Sequence, residues 1–209
     1  MTRIGVFGGS FDPPHLGHKA LVEAAIVELE LDGVWVIPVG DHPVHRSLTV
    51  GVSAKQRLSW VERMFAGMEG VEVFDWEVKS AEPMPSIELM HRLGKDLSNV
   101  PIWLMGMDAW LGLPSWIDYP EHMQWCNMAV FPRHGESVDM HEGWEQVTCL
   151  SSLQAGQVYW GQSELPMISA TQVREDILTG KDVSTVLDVC IADEIQSAYK
   201  DKSRNGENE

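Results

Sequence analysis

The stretch that decides the fold is Arg3–His18, which reads RIGVFGGSFDPPHLGH. Arg3–Phe7 is short and mostly apolar, as in a buried β-strand, and it runs directly into Gly8 and Gly9. A helix is predicted over His15–Glu30, where apolar residues recur at helical spacing: Leu16, Ala20, Ala24 and Val27. A strand that turns through glycines into a helix is the opening of a β–α unit.

The same alternation continues along the chain. Val34–Pro38 is a second predicted strand, followed by a helix over Ser53–Met68 in which Ser53 and Gln56 form a capping box. Further strands are predicted at Val71–Asp75, Pro101–Met105, Met128–Pro132 and Gln157–Trp160. Further helices are predicted to start near Ser86, Ser115 and Ser169. This order predicts an α/β fold with a Rossmann-like, doubly wound, mostly parallel sheet and helices on both faces.

Length and composition indicate one globular domain. The 209 residues are 44% hydrophobic and 22% charged, which is ordinary for a protein with a packed core. No internal repeat or low-complexity linker divides them. We expect a single domain over residues 1–199 and a polar, frayed tail over residues 200–209.

The charge balance and the cysteines restrict the classes of partner. A formal net charge of −16 argues against nucleic acid, because binding to a phosphate backbone depends on clustered Lys and Arg. No run approaches the roughly 20 apolar residues of a membrane helix, and Met1–Phe11 lacks the apolar core of a signal peptide. The three cysteines form no metal-ligand pattern. We expect a cytoplasmic protein without nucleic-acid, membrane or structural-metal binding; homo-oligomerisation stays open.

The residues after the first strand are candidates for phosphate binding. Gly8, Gly9 and Ser10 fit either a phosphate held close to backbone N–H groups or a simple tight turn, and by themselves leave both interpretations open. His15 and His18 lie three residues apart at the start of a helix, so both imidazoles face one side near the positive end of the helix dipole. This pair favours a polyphosphate ligand.

A second candidate segment lies near the other end of the chain. Ile168–Arg174 reads ISATQVR, with Ser169 as a predicted N-cap. On a first helical turn, the hydroxyls of Ser169 and Thr171 and the guanidinium of Arg174 can converge with free N–H groups on an anion. A capped helix with a solvated arginine is the alternative.

Together these motifs resemble a known superfamily. Gly8–His18 resembles the signature of the HxGH nucleotidyltransferases, and Ile168–Arg174 is similar to the ISxTxxR motif of nicotinate-nucleotide adenylyltransferases. The resemblance implies the HxGH nucleotidyltransferase fold and a transfer of the adenylyl group of ATP to nicotinate mononucleotide, giving deamido-NAD and pyrophosphate. It also implies Mg²⁺ bound with ATP. Its catalytic residues would be His15, His18 and Arg174.

The resemblance assigns the remaining site residues by motif. ATP would be bound by Gly8, Gly9, Ser10, Phe11, His45, Arg46, Gly106, Asp108, Ser169 and Thr171. The acceptor nucleotide would be bound by Ser86, Glu88, Trp116, Ile117 and Arg133. Two segments depart from the family pattern: the loop before His45 lacks the usual asparagines, and Ser86-Ile87-Glu88 replaces a Ser-Tyr-Thr string that helps recognise the nicotinate carboxylate.

Several alternative functions stay open on the sequence. Glu88 would repel a nicotinate carboxylate if it faced one, so nicotinamide mononucleotide is an alternative acceptor. Pantetheine-phosphate adenylyltransferase is disfavoured because its motif usually ends in lysine rather than Arg174. A nucleotide-binding sensor without catalysis is a further alternative. A class I tRNA synthetase is the weakest, since the chain is short and acidic.

Overall fold

The computed structural model describes residues 2–41, 52–132 and 139–206. Its strands are β1 (Ile4–Gly9), β2 (Gly33–Pro38), β3 (Val71–Val73), β4 (Ile102–Gly106), β5 (Asn127–Phe131), β6 (Glu145–Val147) and β7 (Gln157–Trp160). Its α-helices are α1 (Leu16–Leu29), α2 (Ala54–Phe65), α3 (Trp76–Lys79), α4 (Ser86–Asp96), α5 (Met107–Gly112), α6 (Ala170–Leu178) and α7 (Ala192–Gly206).

The strands form one sheet in the order β3-β2-β1-β4-β5-β7-β6, and every pair in it is parallel. The chain first builds outward from β1 through β2 to β3, then returns to place β4 on the other side of β1. Strand order therefore reverses between β1 and β4. This is the doubly wound, Rossmann-like sheet that the sequence predicted, and its switch point is where ligands of such folds bind.

A hydrophobic core lies on each face of the sheet, which confirms the prediction of helices on both sides. On one face, α1, α2, α6 and α7 pack on strand residues such as Phe7, Val34 and Leu104. On the other, α4 and α5 pack on strand residues such as Val6 and Met128. Among the described residues, no helix is long and apolar enough to cross a membrane.

The buried face of α1 differs from the predicted one. The helix buries Leu21, Val22, Ala25 and Leu29. Val27, which we placed on the apolar stripe, is 77% exposed. Small and apolar residues occupy most positions of α1, so more than one stripe satisfies the helical spacing and the packing partner decides between them.

The predicted helix near Ser115 is wrong. The α-helix of this region, α5, begins earlier at Met107, and Leu113–Ser115 and Glu121–Gln124 are single turns of 3-10 helix. Prolines at 114 and 120 remove N–H donors from this stretch, and Asp118 has a left-handed φ of 59°, so a continuous α-helix cannot form.

The C-terminal segment also differs from expectation. Helix α7 continues to Gly206, so most of the polar segment for which we predicted a frayed tail is helical. Its earlier residues anchor it: Ile195 and Tyr199 are buried in the core beneath α2. The helix thus begins with residues that pack in the core and ends in a polar sequence.

Candidate active site

A cleft of about 350 Å³ lies at the switch point, between the ends of β1 and β4 and the start of α6. We call it the switch-point cleft. Both sequence motifs reach it, although they lie at opposite ends of the chain. The predicted site residues that line it are Gly8, Gly9, Ser10, His15, His18, Gly106, Asp108, Ser169 and Thr171.

Gly8 and Gly9 end β1 and lead into the turn at Ser10, and packing beneath the cleft requires both glycines. A Cβ on Gly8 would lie 3.0 Å from the ring of Trp103, and one on Gly9 would lie 3.3 Å from the ring of Phe11. Both contacts are tight, so a side chain at either position would displace an aromatic ring. The turn is therefore held by the sheet below it, while its backbone faces the cleft.

His15 and His18 form a fixed pair at the start of α1. Their rings stack with centroids 3.7 Å apart, and the backbone N–H of His15 donates to Nδ1 of His18 over 3.1 Å. Because Nδ1 accepts this bond, a neutral His18 carries its proton on Nε2. Gly17 is needed beside them, since its Cβ would lie 2.9 Å from Nδ1 of His15.

Phe11 does not line the cleft as predicted. Its side chain is 1% exposed and lies below the site, 5.4 Å from the ring of Phe7 and 4.9 Å from that of His18, measured between centroids. Its φ of 46° is unusual for a residue other than glycine. Phe11 therefore supports His18 from the core, because an aromatic ring of this size is more stable buried than facing a polar ligand.

The second motif caps α6 at the cleft. Ser169 is the N-cap, and its hydroxyl accepts from the backbone N–H of Gln172 at 3.2 Å, as predicted. Arg174 donates to the hydroxyl of Thr171 at 3.1 Å and to the backbone carbonyl of Asp12. Arg174 therefore joins α6 to the Asp12–His15 segment, and its contacts are with protein groups at the margin of the cleft.

A residue of α7 fixes the side chain of Asp12 from the core. Its carboxylate accepts a hydrogen bond from the phenol of Tyr199, and both side chains are buried. Burial and the Asp12 charge raise the pKa of Tyr199 above its usual range. The last helix of the chain thus fixes the segment that leads into the two histidines.

Arg57 is a buried residue of this region that the sequence analysis missed. It is 0% exposed and donates to the backbone carbonyls of Ser10, Val39, Gly40 and Val52 and to the Asp41 carboxylate. It therefore joins the turn after β1 to the chain after β2. The signal was present, because position 57 falls on the same helical stripe as the buried residues Trp60, Val61 and Met64.

Glu77 lies beside this network. Burial raises the pKa of Glu77 to about 7. The hydrogen bond from the backbone of Gly40 and the charge of Arg57 act in the opposite direction and lower it. Asp41, the other acid near Arg57, caps α2 by accepting from the N–H of Ala54 at 2.8 Å. Charged groups thus lie under the cleft as well as in it.

A second group of residues, which contains the predicted Ser86 and Trp116, lies on the other face of the sheet. We call Ser86, Trp103, Trp116 and His122 the Ser86 cluster. The hydroxyl of Ser86, the first residue of α4, is 3.1 Å from Nε2 of His122. The ring of His122 packs edge-on against Trp116 at 5.8 Å, and Trp116 packs against Trp103 at 6.5 Å. His122 was not predicted.

The other predicted acceptor residues flank this cluster. Glu88 is exposed in the first turn of α4, and Ile117 is 43% exposed. Three further predicted residues, His45, Arg46 and Arg133, lie outside the described residues. Within residues 2–41, 52–132 and 139–206, no three His, Cys, Asp or Glu side chains come together as metal ligands.

Comparisons with known proteins agree with both motifs. Residues 6–176 match the cytidylyltransferase-like family. A probable nicotinate-nucleotide adenylyltransferase of Aeromonas hydrophila subsp. hydrophila is 34% identical over 206 residues, covering 92% of this chain and 94% of the relative. A protein of the same description from Thermotoga sp. is 29% identical over 198 residues, covering 95% of this chain and 97% of the relative.

A solved structure has the same fold. The Plasmodium falciparum nicotinic acid mononucleotide adenylyltransferase complexed with NaAD superposes with a TM-score of 0.69 at 17% identity, over 93% of this chain and 95% of that chain. The resemblance noted in the sequence is therefore confirmed along almost the whole chain. This chain belongs to the nicotinate-nucleotide adenylyltransferase family, within the cytidylyltransferase-like proteins.

Proposed function

We propose that this chain transfers the adenylyl group of ATP to nicotinate mononucleotide, forming deamido-NAD and pyrophosphate. The observation that carries the proposal is the switch-point cleft, where the glycine turn after β1, the His15–His18 pair and the start of α6 face one another. Backbone N–H groups, imidazoles and a helix N-terminus are groups that bind phosphates. The family relatives carry the same activity in their descriptions.

The reaction is an in-line displacement at phosphorus. An oxygen of the acceptor 5′-phosphate attacks the α-phosphorus of ATP, and the bond from that phosphorus to the β-phosphate oxygen breaks to release pyrophosphate. Two phosphorylated substrates repel each other, so the protein's task is to align them and neutralise charge. Good alignment of two reactants supplies about 7–11 kcal/mol.

The residues of the cleft divide this task. His18 donates from Nε2 to a phosphate oxygen as negative charge builds up, and the stacked His15 holds its ring in place. The hydroxyls of Ser169 and Thr171 and the first turn of α6 receive the leaving pyrophosphate. Arg174 holds Thr171 in position and adds positive charge at this end of the cleft.

Mg²⁺ enters this scheme with ATP. Among the described residues, Asp108 is the one acidic residue that lines the cleft, and no cage of acidic ligands is present. These residues suit an Mg²⁺ ion whose ligands are mainly phosphate oxygens and water. When bound, Mg²⁺ supplies neutralisation of the pyrophosphate charge. Gly106, the last residue of β4, and Asp108, in the first turn of α5, line the part of the cleft that the resemblance assigns to ATP.

Pyrophosphate release tests the proposal directly. The purified chain is supplied with ATP and Mg²⁺ and, in parallel, with nicotinate mononucleotide, nicotinamide mononucleotide or phosphopantetheine. We expect turnover with the pyridine nucleotides and the highest kcat/KM with nicotinate mononucleotide. Binding of ATP by folded protein without pyrophosphate release from any acceptor would contradict the proposal and favour a sensor.

A further inference from the structure

Ser86 and His122 form a hydrogen-bonded couple at the start of α4. Ser86 is partly exposed, whereas His122 is 0% exposed, and Ser86 Oγ lies 3.1 Å from His122 Nε2. In the first turn of a helix the backbone N–H groups have no intrahelical partner. The hydroxyl of Ser86, the first residue of α4, therefore lies beside such backbone groups and is bonded to a buried imidazole.

The surroundings of His122 decide which partner donates. Within residues 2–41, 52–132 and 139–206, its Nδ1 is buried and has no hydrogen-bond partner. A proton on Nδ1 would be a buried unpaired donor, which is rarer and more costly than an unpaired acceptor nitrogen. The proton therefore lies on Nε2, from which His122 donates to Ser86, and the serine hydroxyl is left to donate outward.

Burial favours this neutral form of His122. Burial lowers the pKa of His122, and the charge of His91 lowers it further. The carboxylates of Glu121 and Asp118 raise it, but the net shift is downward. The rings of Trp116 and Tyr119 pack around the imidazole, with centroids 5.8 and 6.3 Å away. A neutral imidazole with one donor and one acceptor nitrogen is the state that the couple needs.

Aromatic contacts connect this couple to the switch-point cleft. His122 packs on Trp116, Trp116 packs on Trp103, and Trp103 lies directly under Gly8 of the glycine turn. Trp103 and His122 are buried, so the partly exposed ring of Trp116 is the surface that can receive the base of a nucleotide whose phosphate lies at that turn. A pyridine ring suits such a surface, because flat rings pack well against tryptophan.

We propose that His122 is a positioning residue that fixes the Ser86 hydroxyl as a donor to the carboxylate of a pyridine acceptor, so that the couple favours the acid over the amide. The inference rests on the proposed function. A carboxylate accepts from Ser86 in a charge-assisted bond, which is roughly twice as strong as a neutral one. A carboxamide offers the same donor only a neutral oxygen, so it gains the weaker of the two bonds.

The ratio of kcat/KM for nicotinate mononucleotide to that for nicotinamide mononucleotide tests the proposal. We expect Ser86→Ala to lower this ratio by about tenfold, the order expected when a hydrogen bond to a charged group is lost. His122→Leu should lower it similarly, because the hydroxyl then rotates freely. His122→Gln, whose amide can donate to Ser86, should restore most of it. The double variant S86A/H122L should fall no further than either single variant.

Controls separate this role from a structural one. The KM for ATP should stay within about twofold of wild type in every variant, since the couple lies outside the cleft that holds the phosphates. His91→Gln, which alters the other histidine of this region and its bond to Glu121, should leave the ratio unchanged. Equal losses for both acceptors would mean that His122 only supports the fold.

The outcomes also distinguish this inference from the proposed function. If the wild-type chain releases pyrophosphate with neither pyridine nucleotide, the proposed function fails. If it does so with nicotinate mononucleotide and Ser86→Ala or a folded His122→Leu leaves the ratio unchanged, the proposed function stands and the role of His122 is wrong. Ser86→Ala keeps the test decisive even if His122→Leu does not fold.

Discussion

In the switch-point cleft, the turn after β1 and the His15–His18 pair are held from below by buried groups, whereas in the Ser86 cluster one buried histidine holds one serine. The cleft has Phe11 and Arg57 beneath its backbone. The Ser86 cluster depends on a single side-chain hydrogen bond and on ring contacts. Changes under the cleft should therefore affect the whole protein, and changes in the cluster should affect the choice of acceptor.

Replacement of Arg57 should have the largest effect. Arg57→Met removes one donor from several buried carbonyls and from the Asp41 carboxylate, so we expect a loss of about 3–5 kcal/mol in the free energy of unfolding. Urea denaturation measures it. Arg63→Met is the matched control on the same helix, where an exposed pair with Glu194 contributes about 1 kcal/mol or less. Equal losses in the two variants would show that the cleft is not supported in this way.

Removal of the His18 imidazole should abolish most activity without unfolding the protein. We expect His18→Ala to lower kcat by about 10²–10³-fold, the usual order for loss of a donor to the transition state. The pyrophosphate assay measures the rate, and a thermal melt checks the fold. His91→Gln serves as the control histidine. Activity within about threefold of wild type would remove His18 from the mechanism.

Glu77 should make stability depend on pH. Its pKa rises from an ordinary 4.5 to about 7 in the folded protein, so between these values the folded state binds more protons than the unfolded state. Stability should therefore fall as pH rises from about 4.5 to about 7 and level off above it, with a total change of about 3 kcal/mol from this group.

Urea denaturation of wild type and Glu77→Gln at pH 5 and pH 8 isolates this contribution. The variant should gain stability relative to wild type between the two pH values, because glutamine has no proton to lose. Glu72→Gln, an exposed change on β3, should show no such gain. A constant difference between wild type and Glu77→Gln would mean that Glu77 does not titrate in this range.

Glu88 should have the smallest effect, and only on one acceptor. Its exposed carboxylate lies in the first turn of α4, two residues beyond Ser86, and should repel a nicotinate carboxylate weakly through water. We expect Glu88→Gln to raise kcat/KM for nicotinate mononucleotide by about two- to fivefold and to leave the amide substrate unchanged. Steady-state kinetics with both acceptors measure this, and an equal rise for both would exclude a charge effect.

The sequence predicted the cleft better than the cluster, for a physical reason. Gly8–His18 and Ser169–Arg174 are each continuous, so turn chemistry, capping and helical spacing place their groups together locally. The sheet order then brings the two segments to one edge. The doubly wound sheet itself followed from the alternation of strands and helices.

The Ser86 cluster could not be predicted from the sequence in this way. Ser86 and His122 are 36 residues apart, and their contact depends on 3-10 turns and a left-handed residue in a segment that we predicted to be helical. Arg57 was missed for a related reason, because an arginine in an amphipathic helix is usually exposed. Its position on the buried stripe was the only local sign.

The central claim is adenylyl transfer to the phosphate of a pyridine nucleotide, and an isotope experiment tests it most directly. The chain is incubated with ATP, Mg²⁺ and nicotinate mononucleotide whose non-bridging phosphate oxygens are labelled with ¹⁸O. The masses of the products are then measured by mass spectrometry. Attack by the acceptor phosphate on the α-phosphorus predicts that deamido-NAD retains all of the label and that pyrophosphate has none. Label in pyrophosphate, or formation of AMP without the dinucleotide, would contradict the mechanism.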